Sequence, residues 1–181
     1  VVIAFLSTIV ATALGTLIAL ALVRYNFRGS GSTNTLIFLP LATPEIVLGA
    51  SLLTLFVAIG QPPFFPTNFL TILIAHIMFN ISFVVVTVRA RLYGFDRNLE
   101  EAAMDLGATP WTTFRTITLP LIAPAVGSGW LLAFTLSLDD LILTQFVAGA
   151  QSETLPMRVY SSVRLGVDPQ INALATIIVA V

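Results

Sequence analysis

Long apolar segments dominate the hydrophobic pattern of this chain. A helix that crosses a membrane needs about 20 mostly apolar residues, and four complete segments reach that length, while a fifth begins near residue 171. The segments cover about residues 1–23, 36–59, 69–88, 121–147 and 171–181. Lipid cannot satisfy the hydrogen bonds of an open backbone, and the alternating pattern of membrane-barrel strands is absent. The pattern therefore predicts an all-α integral membrane protein.

Composition supports lipid as the solvent of this chain. Of its 181 residues, 57% are hydrophobic and only 9% are charged, whereas soluble domains carry about 25% charged residues. The chain has no cysteine, which excludes disulfides, cysteine-bound zinc and thiol catalysis. A single histidine, His76, leaves little for a metal site. With a net charge of −1 the chain has no basic patch for nucleic acid.

Arginine positions orient the segments, because all eight basic residues are Arg. Cytoplasmic loops of membrane proteins carry an excess of basic residues, which assigns the 24–34 and 89–120 loops to the cytoplasm. The uncharged 60–68 loop is then external, and so, by alternation, is the 148–170 segment. Both ends of the chain lie within apolar segments, so we expect an internal fragment of a longer membrane protein.

A polar segment at about residues 96–120 interrupts the apolar pattern. Asn98 is a candidate cap for a short helix that starts at Leu99, and Gly107 suits the left-handed position that ends such a helix. Apolar residues recur along one face of this helix, with acidic residues on the other side: Leu99, Ala102, Ala103 and Leu106 against Glu100, Glu101 and Asp105. A helix of about eight residues is marginal alone. We therefore expect it to dock, either on a partner or on the lipid headgroups.

The second half of the polar segment predicts another short helix. Thr109 is a candidate cap and Pro110 suits the first helical position. Trp111 and Phe114 then share one face, and we expect this helix to end before Pro120.

Three carboxylates fall inside or at the edge of apolar segments: Glu45, Asp139 and Asp140. An ionised residue at the centre of a spanning helix costs about 2.5–3.5 kcal/mol, so each is a candidate functional residue. Pro40 and Pro44 are expected to break the helix just before Glu45. The two aspartates cannot share a helix face, since adjacent positions point about 100° apart. The pattern leaves two interpretations open, a local aspartate cap or structural pair, and a pathway that attracts cations.

The polar segment also carries a longer motif, over residues 101–120. It reads E-A-A, three residues, Gly, nine residues, then I-x-L-P, and it resembles the ATPase-docking loop of binding-protein-dependent ABC importer permeases. The resemblance implies a set of residues that contact an ATP-binding subunit: Glu101, Ala102, Ala103, Gly107, Ile117, Leu119 and Pro120. It also implies the fold, a type I ABC importer transmembrane domain, of which the chain covers about spans two to six of six.

Further segments narrow the resemblance. F-T-L-S-L-D-D at 134–140 and G-V-D-P-Q-I-N-A-L-A-T at 166–176 are similar to the second permease subunit of spermidine/putrescine importers. This implies a pathway for linear polycations that is lined by acidic and hydroxyl groups: Glu45, Ser137, Asp139 and Asp140. The implied location is the inner membrane of a bacterium.

The resemblance also implies partners. These are a homologous permease subunit, two ATP-binding subunits, an extracytoplasmic polyamine-binding protein and membrane lipid. The chain has no phosphate-binding loop of the Walker type, so we expect it to be no enzyme and to hold no cofactor, with ATP and Mg²⁺ bound by the partners.

Three other interpretations stay open. The cargo could be another solute, such as ferric iron or sulfate; the chain could belong to an ion-coupled carrier that works without an ATPase; or it could be a structural membrane scaffold.

Overall fold

The computed structural model describes residues 1–59, 67–149, 152–165, 172–173 and 176–177. Every regular element within those ranges is helical, which confirms the all-α prediction. In chain order the elements are α1 (Val2–Arg24), α2 (Ser30–Ala42), α3 (Glu45–Ile59), α4 (Phe69–Tyr93), α5 (Asn98–Asp105), α6 (Pro110–Thr113), a π-helical turn (Phe114–Thr118), α7 (Leu119–Asp139), α8 (Ile142–Val147) and α9 (Leu155–Leu165).

Helices α1, α4 and α7 form the centre of the bundle. Each is long and apolar enough to cross a membrane, and α7 runs antiparallel to the other two. Small residues on α1 allow a close approach to α4: a Cβ added at Gly15 would lie 2.8 Å from Cγ1 of Val84. Buried aliphatic side chains of all three helices, among them Ala19, Val85 and Ile122, make one continuous core.

The 36–59 segment is not one straight helix. The chain forms α2 and α3, which are bent by 115° at a short break, and together they count as a fourth candidate span. Thr43 is extended, with φ −90° and ψ 132°, the conformation that a following proline favours. Pro44 therefore separates the two helices as expected. The expectation for Pro40 was wrong, because it lies inside α2, near its end, and the helix continues past it.

The 121–147 segment is also broken. Helix α7 ends at Asp139, Asp140 is extended, and α8 follows. Helix α8 packs against α3 and the first half of α4, where Leu52, Ile72 and Leu143 belong to one buried cluster. Gly49 makes room for this contact, since a Cβ there would lie 2.8 Å from Cδ2 of Phe146. The two breaks thus lie on the same side of the bundle.

The other segments have these positions in the structure. Helix α1 occupies the 1–23 segment, and α4 extends the 69–88 segment to Tyr93. Most of the 60–68 loop and of the 171–181 segment lies outside the described residues.

Candidate functional site

Two polar regions lie at opposite ends of the bundle. Residues 96–120 connect α4 to α7, and we call them the docking loop after the role that the resemblance predicts for them. The acidic cluster, Glu45 with Asp139 and Asp140, lies where α2–α3 and α7–α8 are broken.

The docking loop begins with a cap that differs from the expected one. Helix α5 starts at Asn98 itself, and Oδ1 of Asp96 accepts a hydrogen bond of 3.0 Å from the backbone N–H of Asn98. The capping expectation for Asn98 was therefore wrong. Because α5 starts one residue earlier than the pattern indicates, the side-chain acceptor comes from a residue earlier in the chain.

The turn after α5 follows the local signals. Gly107 has φ +90°, the left-handed conformation that glycine adopts without steric cost. Its N–H donates to the carbonyl of Met104 at 2.9 Å. Thr109 then accepts a hydrogen bond of 3.2 Å from the N–H of Thr112, and Pro110 opens α6. The loop therefore reverses direction within a few residues.

We expected the second short helix of the loop to end before Pro120, and this expectation was wrong. Helix α6 continues through the π-helical turn directly into α7. In this turn the N–H of Leu119 donates to the carbonyl of Phe114, five residues back. The wider turn lets the chain pass Pro120, which has no N–H, without a stop. The docking loop is thus continuous with a membrane-crossing helix.

The apolar face of α5 is uncovered. Leu99 is 47% exposed and Leu106 is 90% exposed, and Ala102 between them is also exposed. Trp111, stacked on Phe114 at 5.8 Å between ring centroids, is 69% exposed. The remaining motif residues are exposed or half-buried: Glu101, Ala103, Gly107, Ile117, Leu119 and Pro120. The surface at this end of the bundle therefore consists of exposed apolar and acidic side chains.

Glu100 is the exception on α5. The pattern grouped it with the exposed acids, but it is buried, with 9% of its surface exposed. Its Oε1 accepts hydrogen bonds from a guanidinium nitrogen of Arg24, at the end of α1, and from the hydroxyl of Thr118. This side of α5 therefore faces the π-helical turn and the side chain at the end of α1.

Burial acts on the pKa of Glu100 in one direction and its partners act in the other. Burial alone would raise the pKa, but the hydrogen bonds from Arg24 and Thr118 and the positive charges of Arg24 and Arg97 outweigh it. The pKa therefore lies below its ordinary value, and Glu100 is an anion at neutral pH.

In the acidic cluster, Asp140 is turned inward. Its carboxylate accepts hydrogen bonds from the N–H of Leu143 at 3.1 Å and from the N–H and hydroxyl of Thr144 at 3.0 and 2.8 Å. Nε2 of His76 lies 3.1 Å from the same carboxylate. Asp140 thus caps α8 and contacts α4, the geometry of a local aspartate cap.

His76 connects three helices. Its Nδ1 is hydrogen-bonded to Oγ of Ser137 on α7, and Ser137 lies 3.4 Å from Oγ of Ser7 on α1. The sequence does not indicate that the partners of His76 are Asp140 and Ser137, since these residues are far apart in the chain. A cavity of about 250 Å³ borders the group, lined in part by His76, Ser137, Asp140, Thr144 and Glu153.

The other two acids of the cluster face outward. Glu45 begins α3 and Asp139 ends α7, and both are exposed. Asp139 and Asp140 lie within electrostatic range of Glu45. The broken helices therefore gather three carboxylates in one part of the bundle and leave two of them accessible. Within the described ranges no group of three or more metal-ligating side chains forms a metal site.

Comparison with known protein families matches residues 11–181 to the "binding-protein-dependent transport system inner membrane component" family. The putrescine transport system permease protein PotI of Escherichia coli (strain K12) is 54% identical over 171 residues, which are 93% of this chain and 61% of that protein. The spermidine/putrescine transport system permease protein PotC of Haemophilus influenzae is 47% identical over 177 residues, 98% of this chain and 67% of that protein.

A further relative, PotC of Escherichia coli (strain K12), is 47% identical over 175 residues, 97% of this chain and 65% of that protein. The chain therefore spans about two thirds, or slightly less, of the length of these relatives.

Proposed function

The chain belongs to the binding-protein-dependent transport system inner membrane component family, and from this premise we propose that it forms part of the translocation path of an ATP-driven importer for polyamines. The assignment of polyamines as the cargo rests on the 54% and 47% identity to permeases named for putrescine and spermidine. The acidic cluster supports the same cargo independently.

Polyamines are linear cations, and the acidic cluster has suitable chemistry for them. Glu45 and Asp139 are exposed carboxylates within electrostatic range of each other. Both lie at broken helices, where membrane transporters commonly bind their substrates. A carboxylate binds an ammonium group most readily when it does not first have to give up hydrogen bonds within the protein. Asp139 and Glu45 are free in this sense, whereas Asp140 is occupied by His76 and the start of α8.

Asp140 and Ser137 have a structural role beside the proposed pathway. Both contact His76, so they hold α4, α7 and α8 together beside the two exposed acids. In this proposal Asp139 and Glu45 contact the cargo first, and Asp140 with Ser137 fix the geometry of the break on which Asp139 lies.

The docking loop supports the ATP-driven part of the proposal. The exposed residues of α5 offer a surface to an ATP-binding subunit, with Ala102 and Ala103 permitting close packing, Glu101 supplying a charge and Gly107 the turn. Ile117, Leu119 and Pro120 continue this surface towards α7. ATP and Mg²⁺ would be held by two such subunits, which would move the bundle between inward- and outward-facing states.

The further partners in this proposal are a homologous permease subunit beside the bundle and an extracytoplasmic polyamine-binding protein. The complete importer, reconstituted in proteoliposomes with ATP inside and binding protein outside, tests the function. We expect uptake of labelled putrescine or spermidine that requires ATP. Uptake of sulfate or ferric iron in its place would refute the cargo, and polyamine uptake that persists without the ATP-binding subunits would refute the ATP-driven mechanism.

A further inference from the structure

The docking loop is fastened to the bundle at one buried point. Glu100 receives hydrogen bonds from Arg24 and Thr118, so a single carboxylate joins α5 to the last residue of α1 and to the end of the π-helical turn. Thr118 is fully buried and Arg24 is half-buried. We call these three residues the Glu100 latch.

Neighbouring contacts strengthen this connection. The guanidinium of Arg97 donates to the carbonyl of Val23 at 3.1 Å, and the guanidinium of Arg24 lies 5.9 Å from the ring centroid of Phe95. Phe95 and Arg97, just before the start of α5, therefore add to the contact that Glu100 makes with the end of α1. Hydrogen bonds between ionised groups are shorter and stronger than neutral ones, which makes the Arg24–Glu100 pair the strongest hydrogen bond of this contact.

The remainder of α5 makes a clear contrast. Beyond Glu100 the helix exposes Glu101, Ala102, Met104 and Asp105. A partner that pushes on this exposed face would move α5. The buried side chain of Glu100 is where α5 contacts α1 and the start of α7. One of the two helices that it reaches, α7, runs on to the acidic cluster, since its last residue is Asp139.

We propose that the Glu100 latch transmits the movement of the docking helix α5 to α1 and α7, and that Glu100, Arg24 and Thr118 are the positioning residues of energy coupling. This proposal rests on the proposed function. The latch sits at the end of a π-helical turn, a rare element that is found frequently at functional sites. Because Thr118 is the last residue of that turn, its hydrogen bond to Glu100 connects α5 directly to the start of α7.

The test compares transport with ATP hydrolysis in the reconstituted importer. The variants are Glu100→Gln, Arg24→Gln and the double variant, with Arg28→Gln as the matched control, because Arg28 is exposed at the same end of the bundle. We expect the single variants to assemble and hydrolyse ATP, while the number of polyamines transported per ATP falls about five-fold or more, within the range of coupling between sites. The Arg28→Gln importer should keep the wild-type ratio.

Two further results separate coupling from a merely structural role. If Arg24 and Glu100 act through each other, the double variant should lose no more than either single variant. The exchanged pair, Arg24→Glu with Glu100→Arg, should recover at least part of the ratio. Should Glu100→Gln fail to assemble, Thr118→Val gives the same test by removing one donor, with Thr118→Ser as its control.

The outcomes distinguish the latch from the function on which it rests. A wild-type importer that takes up no polyamine refutes the proposed function. A wild-type importer that transports, together with latch variants that keep the wild-type ratio, refutes the latch. Losses that add in the double variant and are not recovered by the exchanged pair also refute it.

Discussion

Two pairs of adjacent acids, Glu100–Glu101 in the docking loop and Asp139–Asp140 in the acidic cluster, are divided in the same way. In each pair one carboxylate is enclosed by hydrogen-bond donors, with side-chain exposures of 11% for Glu100 and 8% for Asp140, and the other acid is exposed. In α5 the division follows because adjacent helical positions point about 100° apart. At Asp139–Asp140 it follows from the break, because Asp139 ends α7 and Asp140 is extended. In both pairs one acid can serve the protein's own structure while its neighbour stays available. The comparison indicates that an acid in this chain is structural or functional according to its partners, not its place in the sequence.

The largest effect should come from removing the buried acid of the membrane pair. In Asp140→Ala, helix α8 loses its cap, at about 1 kcal/mol. His76 also loses its carboxylate partner, and a hydrogen bond to a charged group contributes about 1.5–3 kcal/mol, although Nε2 of His76 keeps the hydroxyl of Thr144 at 3.0 Å. Thermal unfolding in detergent should show this loss of stability. Asp139→Ala is the matched control, with a change within roughly 0.5 kcal/mol. Equal destabilisation by both variants would contradict the division within this pair.

The next test exchanges the charge of the exposed acid in the loop. Glu101→Lys should weaken binding of the ATP-binding subunit about ten-fold, equal to about 1.4 kcal/mol, because the docking surface loses its acidic contact. Asp105→Lys makes the same change on the same helix outside the motif and should have a smaller effect. Affinity measured with the purified ATP-binding subunit decides this, and a larger effect of Asp105→Lys would place the docking surface elsewhere on α5.

A substitution at Gly107 tests how the shape of the turn affects docking, without changing the charge of the loop. Gly107 is left-handed, and a β-branched residue there costs roughly 1–2 kcal/mol, so Gly107→Val should distort the turn and weaken docking. Gly107→Asn is the control, because asparagine tolerates this conformation. The same affinity measurement applies. Unchanged binding by Gly107→Val would show that the turn does not shape the docking surface.

Local signals in the sequence account for the elements that were predicted well. Pro44, Gly107 and Thr109 act on the backbone within a few residues, so the break in the second segment, the left-handed turn and the cap of α6 were all visible in advance. The long apolar segments likewise predicted helices, because only hydrogen-bonded helices suit a lipid-exposed chain of this pattern.

Contacts between distant residues account for what was missed. Glu100 meets Arg24, which lies 76 residues earlier in the chain, and Asp140 meets His76 on another helix. Neither partner is indicated by spacing along the chain, since each contact exists only after the helices have packed. The π-helical turn was missed for a related reason: Pro120 reads locally as a helix stop, but the continuous packing of α7 overrides it.

The smallest effect concerns pH. The pKa of Glu100 lies below its ordinary value of 4.5, because the hydrogen bonds and charges of its partners outweigh burial. Such a carboxyl stabilises the folded protein above its unfolded pKa, and this contribution is lost as the pH falls through the folded pKa. The stability difference between the wild type and Glu100→Gln should therefore be constant from neutral pH to about 4.5 and close below it. A difference that closes near neutral pH would contradict the ion pair.

The central claim is our proposal that the exposed acids of this chain meet a polycationic cargo, and Asp139→Asn in the reconstituted importer tests it most directly. We expect ATP-dependent polyamine uptake at subsaturating concentration to fall about ten-fold, as for the loss of roughly 1.4 kcal/mol of binding. Thermal stability and assembly should stay at the wild-type level. Wild-type uptake by Asp139→Asn, from an importer that requires ATP, would contradict the account.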